Sequence, residues 1–210
     1  MEALVQQQYD RLASIYDQRW QFYITHTLTF LVDWAKISPS DRVLDVACGT
    51  GELECRLVEQ HPHQVIVGVD FAAAMLAIAQ SKFPVASSVS FQQAPAAALP
   101  WQTPEFDVVV CANAFHYFDH PQTVLAEMAR VLHPHGRVVI LDWCRDFWVC
   151  RVCDWLLDWF DPAHKRCYTQ AELHAILTVA GYHVQRSQRV RFGFIWGLMV
   201  VEATSPLTDS

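Results

Sequence analysis

The chain has 210 residues, 52% of them apolar and 18% charged, and carries a formal net charge of −7. That length and apolar content fit one domain, 1–210, with a full hydrophobic core, and they exclude a disordered chain. The acidic balance argues against a nucleic-acid-binding surface and against electrostatic attachment to anionic lipid.

The opening residues, MEALVQQQYD, show no basic-then-apolar signal, and no apolar run approaches the roughly 20 residues of a membrane span. A cytoplasmic location is therefore expected, with the chain acting as a monomer or homodimer. The seven cysteines are odd in number and read as free thiols in a reducing compartment. Cys150 and Cys153 form a C-x-x-C, but they lie in an aromatic helical pattern with irregularly spaced Cys144 and Cys167, so no metal site is expected. The two His-Pro-His triplets, His61 to His63 and His133 to His135, read as solvated turns before strands.

In chain order, the first predicted element is a helix within residues 1–36, where Tyr9, Leu12, Tyr16 and Tyr23 recur at helical spacing. A strand at 42–47 follows, and its apolar run carries one acid, Asp45. It breaks into the turn Ala47-Cys48-Gly49-Thr50-Gly51, and a helix at 51–60 comes directly after. A second strand at 65–69 runs into Asp70. A helix at 72–81, strands at 88–92 and 106–111, a helix at 121–132 and a strand at 137–142 continue the alternation. Such alternation specifies a parallel sheet covered by helices on both faces. After Gly181, strands at 182–191 and 194–203 come with no helix between them and with Gly193 in the turn, so they read as a hairpin with the last strand antiparallel to the rest. Residues 143–165 form an aromatic cap in which Trp148, Val152, Trp155, Leu156 and Trp159 share one helical face, opposite Arg151, Asp154 and Asp158. This cap and the N-terminal helical lid (1–36) should pack over the carboxyl ends of the strands, where open α/β sheets bind ligands.

The turn at Ala47–Gly51 admits three readings. A dinucleotide fingerprint needs G-x-G-x-x-G, but the third glycine position holds Glu54. A Walker phosphate loop needs G-K-[ST], and no lysine stands there. What remains, an acid followed by x-A-C-G-T-G, resembles the first motif of class I S-adenosylmethionine-dependent methyltransferases, with Ala47 in place of the usual first glycine. The resemblance continues through Val67-Gly68-Val69-Asp70-Phe71 with Met75-Leu76, through Ala98-Leu99-Pro100-Trp101 with Phe106-Asp107-Val108-Val109, and through Leu125 to Gly136. It reaches Tyr168-Thr169, Glu172-Leu173 and Ala180-Gly181-Tyr182, and so covers roughly residues 9 to 203. The phrase Tyr9-Asp10…Tyr16-Asp17 is similar to the ubiquinone/menaquinone-biosynthesis branch.

The resemblance implies a Rossmann-like seven-stranded α/β sheet, mostly parallel, with an antiparallel C-terminal hairpin. It also implies S-adenosyl-L-methionine as cofactor and a small-molecule methyl acceptor, apolar or aromatic in kind. The implied cofactor contacts are Tyr16, Asp45, Ala47, Cys48, Gly49, Thr50, Gly51, Asp70, Phe71, Met75, Ala96 and Cys111. Asp45 would arrange the loop near the methionine end, Asp70 would accept from the ribose diol, and Phe71 and Met75 would line the adenine slot. Pro95 stands where the family often has an acid for the adenine amino group, so that contact passes to the backbone at Ala96 and to apolar neighbours.

On the acceptor side the candidates are Trp20, His116, Trp143, Arg145 and Trp148. His116 follows the fourth strand, and an imidazole there is a candidate general base; Arg145 is the cation placed for an acidic acceptor group. Asp45 in an apolar strand is costly unless hydrogen-bonded, so the structural alternative for it is to satisfy N–H groups of the loop. The alternatives are a nicotinamide-dependent oxidoreductase, weakened by the missing third glycine and the terminal hairpin, and a non-catalytic module that only holds the cofactor.

Overall fold

The computed structural model describes residues 2–84, 87–152, 167–193 and 196–205. A long helix α1 (Glu2–Ala35) precedes β1 (Val43–Val46), α2 (Glu52–Gln60), β2 (Ile66–Asp70), α3 (Ala73–Ser81) and β3 (Val89–Gln93). The chain then forms β4 (Phe106–Ala112), a 3₁₀ turn at Phe115–Tyr117, α4 (Pro121–Val131), β5 (Leu132–Trp143), α5 (Gln170–Val179), β6 (His183–Phe192) and β7 (Trp196–Thr204). The seven strands lie in the order β3-β2-β1-β4-β5-β7-β6. β1 to β5 pair in parallel, and β7 inserts antiparallel between β5 and β6. The mostly parallel sheet with an antiparallel end is the architecture the alternation and the Gly193 turn predict.

Every residue of β1 and β2 is buried, as expected of central parallel strands covered on both faces. On one face Leu44, Val46 and Val109 pack with Leu125, Met128, Leu173 and Leu177 of α4 and α5. On the other, Val43, Val108, Val110 and Val139 pack with Leu28 and Leu31 of α1 and with Leu53 and Leu57 of α2. β5 starts five residues before the predicted 137 because Leu132 pairs with Phe106. The register then shifts, and regular pairing resumes at Val108 with Arg137. The intervening His133-Pro134-His135 is exposed, with His135 at φ 69°.

Strand order reverses at β1, with β2 and β3 on one side and β4 on the other. A crevice must therefore open at the carboxyl ends of β1 and β4. The segment that follows β5 docks on β7: Cys150 Sγ donates to the Gly197 carbonyl at 3.2 Å, and Phe147 fills the space beside Gly197 that a side chain there would need. Residues 148–152 are helical. The predicted cap residues Cys153, Asp154, Trp155, Leu156, Asp158 and Trp159 lie outside the described residues.

Gly68, in the middle of β2, has no room for a side chain. A Cβ there would sit 2.6 Å from Glu54 Oε1 and 2.7 Å from the Phe91 ring. Gly68→Ala should therefore destabilise the protein by about 1–3 kcal/mol through overpacking, read as a lower denaturant midpoint at unchanged slope.

Candidate active site

One pocket at the crevice collects the ends of four strands. After β1, Ala47, Cys48, Gly49 and Thr50 line it, together with Asp45. Asp70 and Phe71 come from the end of β2, Met75 from α3, Ala94 to Ala97 from beyond β3, and Ala112 to Ala114 with Tyr117 and Phe118 from the end of β4 and the turn after it. Helix α1 closes the side with Tyr9 and Tyr16. Ten of the twelve residues expected at the cofactor therefore meet at one place.

The turn takes its shape from left-handed residues: Ala47 at φ 63°, Gly49 at 55° and Gly51 at 78°. Ala47 is a non-glycine in that region and holds local strain of the kind that clusters at functional sites. A Cβ on Gly49 would meet nothing within 4 Å, whereas on Gly51 it would meet Ala79 Cβ at 3.0 Å and Phe91 at 3.2 Å. Gly49 thus faces the pocket. Gly51 instead lets α2 start close against α3 and β3, so its smallness serves helix packing and it lies away from the pocket wall.

Asp70 ties the loop to the sheet. Its Oδ2 accepts the Gly49 N–H at 2.9 Å, and its Oδ1 accepts the Ala72 N–H at 2.8 Å. Burial raises its pKa, and the N–H groups of Ala72 and Gly49 pull it back. Asp45 is buried, and its Oδ1 has no hydrogen-bond partner among the described residues. Burial first, and then the nearby Glu54, push its carboxyl well above the usual range.

Helix α1 is clamped over the loop by charge. Thr50 Oγ1 donates to Asp17 at 2.5 Å, and Lys82 Nζ bridges Asp17 at 2.7 Å and Glu52 at 2.8 Å. Nearer its N-terminus, Asp10 accepts from the Ala74 N–H at the start of α3, at 3.2 Å. Tyr9 packs against Tyr16 and Tyr117, with ring centres 6.0 and 5.8 Å apart. The phrase Tyr9-Asp10…Tyr16-Asp17 therefore supplies two pocket-lining rings and two anchoring carboxylates, all on one helix.

The acceptor-side candidates are more dispersed. His116 is buried beside the pocket, its Nδ1 2.7 Å from Asp142 Oδ1 and its backbone N–H 2.7 Å from Asp142 Oδ2. The Trp143 N–H also reaches Asp142 Oδ1, at 2.7 Å. The Tyr23 hydroxyl donates to Asn113 Oδ1 at 2.6 Å, and Trp20 and Trp143 flank the Tyr23 ring at 6.4 and 6.0 Å. Trp20 and Trp143 thus back the pocket wall through Tyr23. Arg145 is held by Glu172 at 2.6 and 2.8 Å, and that glutamate also completes the Thr169 capping box of α5. Trp148 is 68% exposed. Cys111 is fully buried within β4, behind the wall that Ala112 and Asn113 provide.

Three participants escaped the sequence reading. Asp17 and Lys82 look like ordinary solvated charges and are joined only by the packing of α1 on α3. Glu54 looks like an exposed helical acid, yet it is fully buried, with neither oxygen partnered among the described residues. The signal was there: Glu54 precedes Leu57 and Val58 by three and four residues, which puts it on their face.

Residues 43–136 match the family model described as a methyltransferase domain. A demethylmenaquinone methyltransferase of Thermus thermophilus is 43% identical over 112 residues, covering 53% of this chain and 51% of that protein. A ubiquinone/menaquinone biosynthesis C-methyltransferase of Geobacter sulfurreducens is 37% identical over 130 residues, covering 60% of this chain and 48% of that protein. The chain spans about half the length of these curated relatives. Magnesium protoporphyrin IX methyltransferase of Synechocystis PCC 6803, solved with bound SAH, shares the fold at TM-score 0.75 and 17% identity, over 97% of this chain and 99% of that one. Residues 43–136 are thus similar in sequence to a methyltransferase domain, and the chain shares the fold of S-adenosylmethionine-dependent methyltransferases.

Glu54 makes stability depend on pH. Burial raises its pKa from the ordinary 4.5 to about 8, so across that window the folded state keeps a proton that the unfolded chain has lost. The stabilisation is fully present below 4.5 and is lost as pH climbs through about 8. The thermal midpoint of the ligand-free protein should fall across that range, and Glu54→Gln should flatten the fall, both measurable by scanning calorimetry.

Proposed function

We propose that this chain transfers a methyl group from S-adenosylmethionine to a small planar acceptor of the quinol or phenol class, by in-line displacement. The observation that carries this reading is one pocket in which Asp45, Asp70, open Gly49 and an aromatic lid meet at the sheet's switch point. The residues present fit the cofactor. Each Asp70 oxygen accepts one backbone N–H and keeps lone-pair capacity for a ribose diol. Phe71, Met75 and the backbone at Ala96 offer a flat apolar slot for adenine. The orphaned Asp45 oxygen offers an acceptor toward a cationic end.

When bound, S-adenosylmethionine supplies an electrophilic methyl group on its sulfonium sulfur. The protein's task is to hold the acceptor atom in line at roughly 3–3.5 Å and to exclude water. Tyr9, Tyr16 and Tyr117 suit the exclusion, being broad, largely apolar rings with few rotatable bonds. Asp142 accepts the Nδ1 proton of His116, which selects the tautomer with Nε2 free to take a proton from the acceptor. Asp142 is a positioning residue in this scheme and His116 the base.

An apolar acceptor is supported by the commitment of Arg145 to Glu172, which leaves it poorly placed to receive an anion. The names of the relatives, which specify demethylmenaquinone and ubiquinone or menaquinone biosynthesis, point to the same class. Trp20 and Trp143, packed around Tyr23, and the exposed Trp148 complete the proposed acceptor side. No helix among the described residues is long and apolar enough to cross a membrane.

Labelled-methyl transfer, screened across naphthoquinols, phenols, amines and thiols, tests the reading; activity confined to charged, hydrophilic acceptors would defeat it. Asp70→Ala should weaken binding of S-adenosylmethionine and of its demethylated product by about 1–3 kcal/mol, roughly five- to over a hundredfold, in a titration on folded protein. His116→Ala should lower kcat by about 10²–10⁴-fold while the cofactor Kd stays near the parent value. Asp142→Asn should lower kcat less and shift its pH profile.

A further inference from the structure

Glu54 has no obvious reason to be buried. Its carboxyl group occupies the hole that Gly68 leaves on the α1/α2 face of the sheet, 2.6 Å from where a Gly68 Cβ would be. Gly68 is the register partner of Asp45 on the adjacent strand, and side chains of register partners project from the same face. Two carboxyl groups therefore lie side by side in a space walled by Phe91, which is in register with Gly68. Neither Glu54 oxygen nor Asp45 Oδ1 has a hydrogen-bond partner among the described residues.

Among the described residues that act on this pair the one cation is Lys82, and it is shared with two other carboxylates. Asp70 approaches from the end of β2 and the Cys48 thiol from the loop, while Cys111 feels Asp45 from β4. Glu52 and Lys82 act on Glu54 from α2 and from the end of α3, but the Lys82 ammonium is spent on Asp17 and Glu52. Without a further cation beside them, two adjacent buried carboxylates cannot both ionise, so in the free protein the pair retains a proton. Only Asp45 of the two reaches the pocket wall.

We propose that Asp45 and Glu54 form a proton-linked charge sensor beneath the cofactor pocket. In the free protein the pair shares one proton; it releases that proton when S-adenosylmethionine binds and keeps it when S-adenosylhomocysteine binds. The inference rests on the cofactor reading above. S-adenosylmethionine carries one positive charge more than its demethylated product, on the sulfonium. That added charge favours full ionisation of the acids below it, and the displaced proton passes to solvent. After methyl transfer the positive charge is gone and the pair takes a proton back from solvent, so the charge of the filled site is the same before and after turnover. Glu54, which lies outside the pocket, thereby acts on discrimination between substrate cofactor and product through Asp45.

Calorimetric titration of the whole chain near pH 7, in phosphate and in Tris, counts protons released per ligand bound. S-adenosylmethionine should release more protons than S-adenosylhomocysteine, by a large fraction of one proton. The ratio of their affinities should rise with pH by up to about tenfold per unit, the limit for one linked proton. Glu54→Gln, which keeps the shape without the titration, should abolish both differences. Should that variant fail to fold, the pH dependence of the wild-type affinity ratio decides alone. Equal proton release by both ligands, or a difference undiminished in folded Glu54→Gln, overturns the inference while leaving the cofactor reading intact. Absence of binding by either ligand would overturn the cofactor reading, and this inference with it.

Discussion

The hydrogen bond from the Gly49 N–H to Asp70 joins the two strand ends on which the rest of the pocket depends. It fixes the turn after β1 against the end of β2, and the second oxygen of the same carboxylate holds the start of α3 through Ala72. One buried acid thus sets the spacing between the loop, the second strand and a helix N-terminus. Charge-assisted bonds of this kind are stronger than neutral ones, which offsets the cost of keeping a carboxylate out of water. The left-handed conformations of Ala47 and Gly49 follow from the same geometry, because the chain must turn sharply to present its N–H groups inward.

Helix α1 is held on that platform by different physics. Helix α1 lies on α2 and α3, and its polar anchors, Asp10 and Asp17, bind groups belonging to the loop and to α3 and its C-terminal cap. Lys82 and Asp17 are only partly exposed, at 21% and 34% of their side-chain surface. Their pairing therefore escapes some of the solvent screening that makes surface ion pairs weak. The aromatic rings supply the apolar cover while the carboxylates set its position. A sequence phrase that repeats tyrosine and aspartate seven residues apart places both functions along one side of a helix.

The acids at the crevice divide by their partners. Asp142 is satisfied by a histidine and two backbone N–H groups, and Asp70 by two backbone N–H groups, so each is specified by hydrogen bonds. Asp45 and Glu54 are specified by space alone, and their shared deficit of partners makes them respond to charge in the pocket. Glu54 also occupies the position where a dinucleotide fingerprint would have its third glycine, so the residue that excluded that reading has a structural place of its own.

Much of this was legible in the amino-acid order. The apolar strand runs alternating with helical patterns determined the parallel sheet. The Gly193 turn determined the terminal hairpin, and the acid-plus-glycine turn determined which strand ends face the ligand. These are local properties, decided by backbone sterics and by the need to bury apolar stripes. Tertiary structure alone decided the pairs that lie far apart in the chain: Asp17 with Thr50 and Lys82, His116 with Asp142, Arg145 with Glu172, and Glu54 with the empty side of Gly68. It also separated Gly49 from Gly51, two glycines of one motif, by giving one to the pocket and the other to helix packing. The reason is that side-chain partnership depends on strand order and register, and neither is written in the spacing of any single segment.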